Sequence, residues 1–352
     1  MLTVLGVALY FMGKSVFSII AHFSLMRAKD FWIVYSTVQL IFISLLMIPN
    51  KYTQIINGYW MAFIAYFAMF SIVGAIVKLF PIGSLGFKIV DISKVVLTLV
   101  IVVIGAYIAK NTRIITYDVK INKNIEDLNI VVFSDIHLGY QVGYEKVKEI
   151  VKKTNDMKPD LVLIPGDIFN GNYSHVDNIE KISDELKKIE SRYGVYASLG
   201  NHDVTKDEGK IKDFLKRSDI TLLQDDFVVV NGITILGRKD KRPIDSFEYE
   251  RITLDEIINK TDKDLPIIVL DHQPADIDSA IKDNADLIVS GHTHNGQIFP
   301  GSLITNALFK VGYGHKQFNN TNVIVTSGVG FWGPPIRIGS ISEIVNIKLS
   351  SK

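Results

Sequence analysis

Five short polar motifs stand in one order in the second two-thirds of the chain. They are Asp135-Ile136-His137, Gly166-Asp167, Gly200-Asn201-His202-Asp203, an isolated His272, and Gly291-His292-Thr293-His294. Five of the eight histidines of the 352-residue sequence fall inside them. Carboxylate, imidazole and carboxamide suit divalent cations of borderline hardness, and the set is large enough for two. A pair of such ions lowers the pKa of a water toward neutrality and clamps a phosphoryl group for in-line attack. Phosphoester hydrolysis is the chemistry these residue types would serve.

Singly, each fragment has an ordinary explanation. Asp-X-His occurs on surfaces, and Gly-Asp is a common turn. Gly291-His292-Thr293-His294 is more specific, because two histidines one residue apart would lie on the same side of an extended segment. What joins the fragments is the elements that must position them. Leu128–Phe133, Leu161–Pro165, Val195–Leu199, Pro266–Leu270 and Leu287–Val289 are short, apolar and β-branched, and read as buried strands. Tyr144–Lys153, Asp177–Ile189 and Ile211–Lys216 have the periodicity of amphipathic helices. Strand–helix alternation predicts α/β layers. Polar residues that close such strands converge in space although far apart in sequence.

These motifs resemble those of the calcineurin-like metallophosphoesterases: Asp-X-His, Gly-Asp, Gly-Asn-His-Asp/Glu, His, Gly-His-X-His. The resemblance runs from residue 125 to residue 348. It implies two β-sheets sandwiched between helices. It also implies two divalent metals, Mn, Fe or Zn. Asp135, His137 and His294 would bind one metal; Asn201, His272 and His292 would bind the second; Asp167 would bridge them. His202 would lie near the leaving group as the catalytic acid, with Asp203 either orienting it or closing the turn. Attack would come from a hydroxide bridging the metals.

Two details narrow the resemblance. Asn170 stands where the Ser/Thr protein phosphatases have Asp, which disfavours that group. Gly291–Gln297 and Gly328–Arg337 are similar to the bacterial membrane-associated YaeI/YkuE-like phosphodiesterases. Arg337 is a candidate for a bidentate phosphate contact, or for a salt bridge to an acid such as Glu343.

The first 112 residues are a different polymer. Four apolar stretches, Leu2–Phe23, Phe31–Ile48, Tyr59–Val77 and Ile89–Ala109, approach the length that crosses a bilayer. The expected architecture is a four-helix transmembrane bundle over residues 1–112 and an α/β metallophosphoesterase domain over 113–352. A cleaved leader would account for the first stretch alone. Arg27, Lys29, Lys78 and Lys88 place the first and third connections in the cytoplasm. An even number of spans then puts the catalytic domain outside, at a bacterial cell membrane. Lys14 within the first stretch reads as a snorkelling or bundle-facing lysine, and Asp91 and Lys94 as a pair.

Residues 1–112 carry 8 basic and 2 acidic side chains, and residues 113–352 carry 30 and 35. An acidic domain is a poor scaffold for nucleic acid. The chain has no cysteine, hence no disulfide framework and no thiolate chemistry. Arg238–Arg251 is charged and aperiodic, and reads as a surface loop or lid.

Ile298–Phe318 crowds Phe299, Leu303, Ile304, Leu308, Phe309, Val311, Tyr313 and Phe318 directly after the last motif. Its glycines make it a poor regular helix or strand. It would pack on the core or line an acyl or membrane-contact surface, with Phe309 and Tyr313 as substrate-binding candidates. The leading expectation is a membrane-anchored phosphoesterase acting on a phosphodiester or pyrophosphate bond, of a phospholipid above other substrates. The alternatives are a phosphodiesterase for soluble substrates that the spans merely tether, and a non-catalytic metal-stabilised sensor or binding module.

Overall fold

The apolar beginning of the chain folds into four helices: α1 (Leu2–Ala21), α2 (Ala28–Leu46), α3 (Lys51–Val77) and α4 (Gly83–Lys110). The structure is a computed structural model and describes residues 2–21, 26–48, 50–241 and 250–352. It divides into two compact units, Met1–Tyr107 with Gly333–Ile336, and Ile108–Trp332 with Arg337–Lys352.

In the helical unit, Met12, Ile64 and Phe67 form a small core with Leu9, Tyr35, Trp60 and Val95 against it. Asn50 caps α3, its side chain accepting from the amides of Tyr52 and Thr53. Helices α3 and α4, of 27 and 28 residues, are long and apolar enough to cross a membrane. Their side chains Ile72, Val73, Ile76, Val96, Leu97, Val103 and Ile104 are exposed. So of the four expected spans, two meet the length and composition required, among the described residues. Asp91 is buried and accepts from Ser18 Oγ at 2.7 Å, while Lys94 Nζ and Lys78 Nζ lie 2.7 and 2.8 Å from it. The expected Asp91–Lys94 pair is therefore present, with a second lysine added. Lys14 is exposed.

The second unit alternates strands and helices. In chain order these are β1 (Arg113–Ile121), β2 (Leu128–Val132), α5 (Tyr144–Asp156), β3 (Leu161–Pro165), α6 (Ile179–Leu186), β4 (Val195–Ser198), α7 (Glu208–Arg217), β5 (Thr221–Leu222), β6 (Asp226–Val230) and β7 (Ile233–Gly237). Then follow α8 (Leu254–Ile258), β8 (Ile267–Leu270), α9 (Ile277–Lys282), β9 (Leu287–Ser290), α10 (Gly301–Leu308), β10 (Gly314–Phe318), β11 (Thr321–Val325) and β12 (Glu343–Ser351). The strands form two six-stranded sheets, ordered β1-β12-β2-β3-β4-β5 and β10-β11-β9-β8-β7-β6. The centres are parallel: β2 with β3, β3 with β4, β7 with β8, and β8 with β9.

Side-chain alternation along these strands builds the layers. Ile130, Val132, Leu161 and Leu163 face Ile268, Leu270, Leu287 and Val289 between the two sheets. The intervening Val131, Val162 and Ile164 pack outward with Val147, Ile150 and Val151 of α5. On the other side Ile267, Val269 and Ile288 pack with Leu254, Ile257 and Ile277. The central strands β3, β8 and β9 are buried on both faces, which is why they read as unbroken apolar runs.

Three sequence expectations change. Residues 301–308, read as unsuited to a regular element, form α10. The hairpins β6–β7 and β10–β11, and the strand β12, were not among the expected strands. The segment read as a lid at Arg238–Arg251 has buried ends: Arg238 is 1% exposed, with Nε 3.1 Å from Asp225, and Arg251 Nη2 donates to Asp271 at 2.6 Å. Residues 242–249 lie outside the described residues.

Candidate metal centre

Parallel strands bring their C-terminal ends to one edge of a sheet. Asp135 and His137 follow β2, Asp167 follows β3, and Asn201 and His202 follow β4; His272 follows β8, and His292 and His294 follow β9. The two inner faces are packed together, so the two edges meet. The backbone there is unusual. Asp135, His137, Asp167, His292 and His294 all have positive φ, between 49° and 67°. Non-glycine residues seldom adopt this conformation, and it concentrates at functional sites. It also overturns the expectation that His292 and His294 share one side of an extended segment. The chain turns at both, and their rings enter different groups of donors.

The first group is Asp135, His137 and His294, and the second is Asp167, His272 and His292; within each, the donor atoms lie within 4.8 Å of one another. His137 Nε2 and His294 Nε2 are 3.0 Å apart, and His294 Nε2 is 3.5 Å from Asp135 Oδ1. Asp167 stands between the groups: its Oδ2 is 3.7 Å from His137 Nε2 and 3.2 Å from His272 Nε2. Asn201 Oδ1 is 2.9 Å from His292 Nδ1. Close packing of backbone onto the acids is required. A Cβ on Gly200 would come within 2.2 Å of Asp167 Oδ1, and one on Gly291 within 2.2 Å of Asp135 Oδ2.

The donors fit divalent cations. His272 Nδ1 lies 2.9 Å from the Pro165 carbonyl, a bond that makes Nδ1 the protonated nitrogen of the neutral ring. Its buried Nε2 has no hydrogen-bond partner and is aimed at Asp167. Such a shell, with a carbonyl orienting the imidazole from behind, is characteristic of metal-ligating histidine. Burial lowers the pKa of His137 to about 3 and that of His292 to about 4. Both therefore offer unprotonated nitrogen at neutral pH, as metal ligation needs. Burial raises Asp135 to about 6, with the His272 charge opposing and the Asp167 charge reinforcing it. At Asp167 burial raises the pKa, but the opposing charges of His272 and His137 outweigh it, and the net shift is downward. For His272 burial lowers the pKa and the Asp167 carboxylate raises it further, so the net shift is upward.

His202 is half-buried, with its ring centre 5.1 Å from that of His137 and 6.1 Å from that of Trp332. Its backbone N–H donates to Asp167 Oδ1 at 2.9 Å, which leaves the imidazole directed elsewhere. Asp203 does not orient it. Its carboxylate accepts from the backbone N–H groups of Gly200, Ile168 and Phe169, stapling the loop after β4 to the loop after β3. Burial, reinforced by the Asp167 charge, raises the Asp203 pKa to about 7.

The candidate substrate residues are placed differently from one another. Arg337 is wholly buried, and its Nη2 donates to the Ser327 and Gly330 carbonyls at 2.7 and 2.6 Å. The same nitrogen lies 3.1 Å from His294 Nδ1, and Nη1 donates to Ser340 Oγ, which in turn donates to the His294 carbonyl. Burial lowers its pKa to about 10. The guanidinium is thus committed to holding the His294 segment, neither facing open solvent nor pairing with Glu343. Glu343 instead accepts from Thr326 and from the Tyr313 hydroxyl, each at 2.8 Å, which commits Tyr313 as well. Phe309 does border the centre, edge-on to His292 at 6.1 Å. One feature had no signal in the sequence beyond its motif: Gln297 donates to the Trp332 carbonyl and accepts from the Trp332 N–H, at 2.8 and 2.9 Å.

Known proteins are similar in sequence to this chain. The family described as calcineurin-like phosphoesterase matches residues 128–296. A Helicobacter pylori protein described as an uncharacterized metallophosphoesterase is 34% identical, over 66% of this chain and 62% of its own length. A Danio rerio protein described as a transmembrane protein with metallophosphoesterase domain is 31% identical, over 72% of this chain and 61% of its own length. The Bacillus subtilis metallophosphoesterase YkuE is 30% identical, over 64% of this chain and 80% of its own length. The chain thus spans less than two-thirds of the first two relatives and four-fifths of the third. With that likeness and the motifs at adjoining strand ends, the chain belongs to the calcineurin-like metallophosphoesterase family.

Proposed function

We propose that this chain is a membrane-anchored phosphoesterase that works with two divalent cations. The observation that carries the reading is the position of Asp167 between two donor groups that each supply further ligands. Asp135, His137 and His294 would hold one cation, Asn201, His272 and His292 the other, and Asp167 both. Manganese, iron or zinc suits this mixed O,N set better than calcium. When bound, the pair supplies Lewis acidity toward the phosphoryl oxygens and lowers the pKa of water. The chain's own groups do the rest. Asp167 and Asp135 balance the cation charge, the imidazoles fix its position, and His202 protonates the departing oxygen.

A phosphodiester or pyrophosphate bond of a lipid is the substrate we favour. Two observations support it: α3 and α4 are apolar enough for a bilayer, and Phe309 puts an apolar ring against His292. The deciding experiment uses the purified full chain, bis-(p-nitrophenyl) phosphate and added Mn²⁺, Fe²⁺ or Zn²⁺. Turnover that chelation abolishes and one of these metals restores is the expected result. Metal uptake without hydrolysis under any of them would instead establish a metal-stabilised binding module.

Orientation is tested separately. The catalytic domain is expected outside a bacterial cell membrane, with Lys29 and Lys88 inside. The chain has no native cysteine, so single cysteines at positions 29, 88 and 352 report without background. An impermeant maleimide applied to intact cells should label only position 352. Labelling at 29 and not at 352 reverses the topology.

A further inference from the structure

Helix α10 has no buried residue, although it is fixed beside the candidate metal centre. Its backbone is tied down at both ends. Gly301 N–H donates to the Ile298 carbonyl at 2.7 Å, and Phe299 N–H donates to Ile338 at 2.8 Å. At the other end Phe309 closes the helix, its N–H donating to Thr305, and its ring meets His292. Outward, the helix presents Leu303 at 63% exposure, Ile304 at 59% and Leu308 at 73%, with Phe299 at 45% just before it. Scattered exposed aliphatics are ordinary, whereas several on one short, well-anchored element mark an interaction surface.

We propose that the outward face of α10, with Leu303, Ile304, Leu308 and the preceding Phe299, is a lipid-contacting surface seated in the head-group layer beside the metal centre. The proposal rests on the membrane-anchored reading above and names where lipid meets the catalytic domain. Two observations select a bilayer as the occupant. First, α4 ends at Lys110 and β1 begins at Arg113, so Asn111 and Thr112 alone connect the apolar helix to the catalytic sheet. With so short a connection the domain cannot diffuse away from the membrane that α4 would cross. Second, residues 295 to 309 contain no charged side chain within an otherwise charge-rich domain. Insertion at an interface needs that neutrality, because an ion in an apolar layer is costly. Of the segment that the sequence offered as a membrane-contact surface, these four residues face outward, whereas Phe309 and Tyr313 are half-buried and turn inward.

The test uses the full chain reconstituted into phosphatidylcholine–phosphatidylglycerol vesicles. Single cysteines at Leu303, Ile304 or Leu308 carry an environment-sensitive nitrobenzoxadiazole label, with Lys187→Cys, just after α6, as the exposed control. The expected result is blue-shifted emission, quenched by lipids bearing a nitroxide high on the acyl chain, at the α10 positions and not at position 187. Emission equal to the control overturns the proposal. So does a blue shift without lipid quenching, which would place a second protein surface over α10. A second arm replaces Leu303, Ile304 and Leu308 together by Ser. Hydrolysis of a long-chain lipid phosphodiester in vesicles should fall roughly tenfold or more, the scale of returning aliphatic side chains to water. Hydrolysis of bis-(p-nitrophenyl) phosphate should be unchanged. Equal loss of both activities counts against the surface. Lipid quenching without any lipid turnover would leave the surface standing and refute the lipid-hydrolase reading instead.

Discussion

Replacing Asp167 by Asn is expected to empty both halves of the metal centre and to lower turnover by more than about 100-fold, since even an outer-shell partner of a ligand is worth 10–100-fold. Asp167 Oδ2 lies within 3.7 Å of His137 Nε2 and 3.2 Å of His272 Nε2, so one carboxylate faces both donor groups. Asn preserves the shape and can still accept the His202 N–H, but it removes the charge that two neighbouring cations need. Asn201→Ala is the comparison, because Asn201 Oδ1 meets His292 of the second group and its loss should cost one ion. Elemental analysis of both variants, with unfolding midpoints to show that each is folded, decides the matter. Two ions at full occupancy in Asp167→Asn would refute the bridging role.

The candidate ligands were legible because each follows an apolar strand. A parallel strand buried on both faces leaves a plain apolar run in the sequence, and the polar residue that ends it stands out. Val131 and Val132 face opposite layers, yet both are apolar, and Asp135 is the first charge after them. The His292–His294 spacing was read from the geometry of an extended strand. The actual backbone turns at both residues, with φ of 67° and 49°. Sequence spacing names ligands but not the turns that distribute them.

Other features depend on tertiary partners that no local pattern displays. Arg337 looks like a phosphate-binding arginine because arginine often is one; only the fold shows its donors spent on the Ser327 and Gly330 carbonyls. Asp203 follows His202 in sequence, yet its bonds go to Ile168 and Phe169 in the neighbouring loop. The β6–β7 hairpin is a different case. Asn231-Gly232 between two apolar runs is a strong hairpin signal, and both residues have positive φ, 48° and 72°. Helix α10 was hidden by its flanking glycines, which serve close backbone contact rather than as breakers: a Cβ on Gly296 would meet Gly301.

His202→Ala separates proton transfer from metal binding. The imidazole is half-buried beside the His137 ring and the exposed Trp332, while its backbone N–H is held by Asp167. The truncation therefore keeps the loop bond and leaves all seven candidate ligands in place. Both ions should be retained. If His202 supplies the proton, kcat on a poor leaving group such as an alkyl alcohol should fall by roughly 10²–10⁴, the usual contribution of a general acid. The loss should shrink for p-nitrophenol, which departs as a stable anion without protonation. A series of diesters graded by leaving-group pKa gives the discriminating measurement: the variant's rates should depend more steeply on that pKa than the parent's. Equal losses across the series would make His202 a positioning group for the phosphoryl oxygens. Loss of metal would instead place its contribution in the architecture of the Asp167 loop.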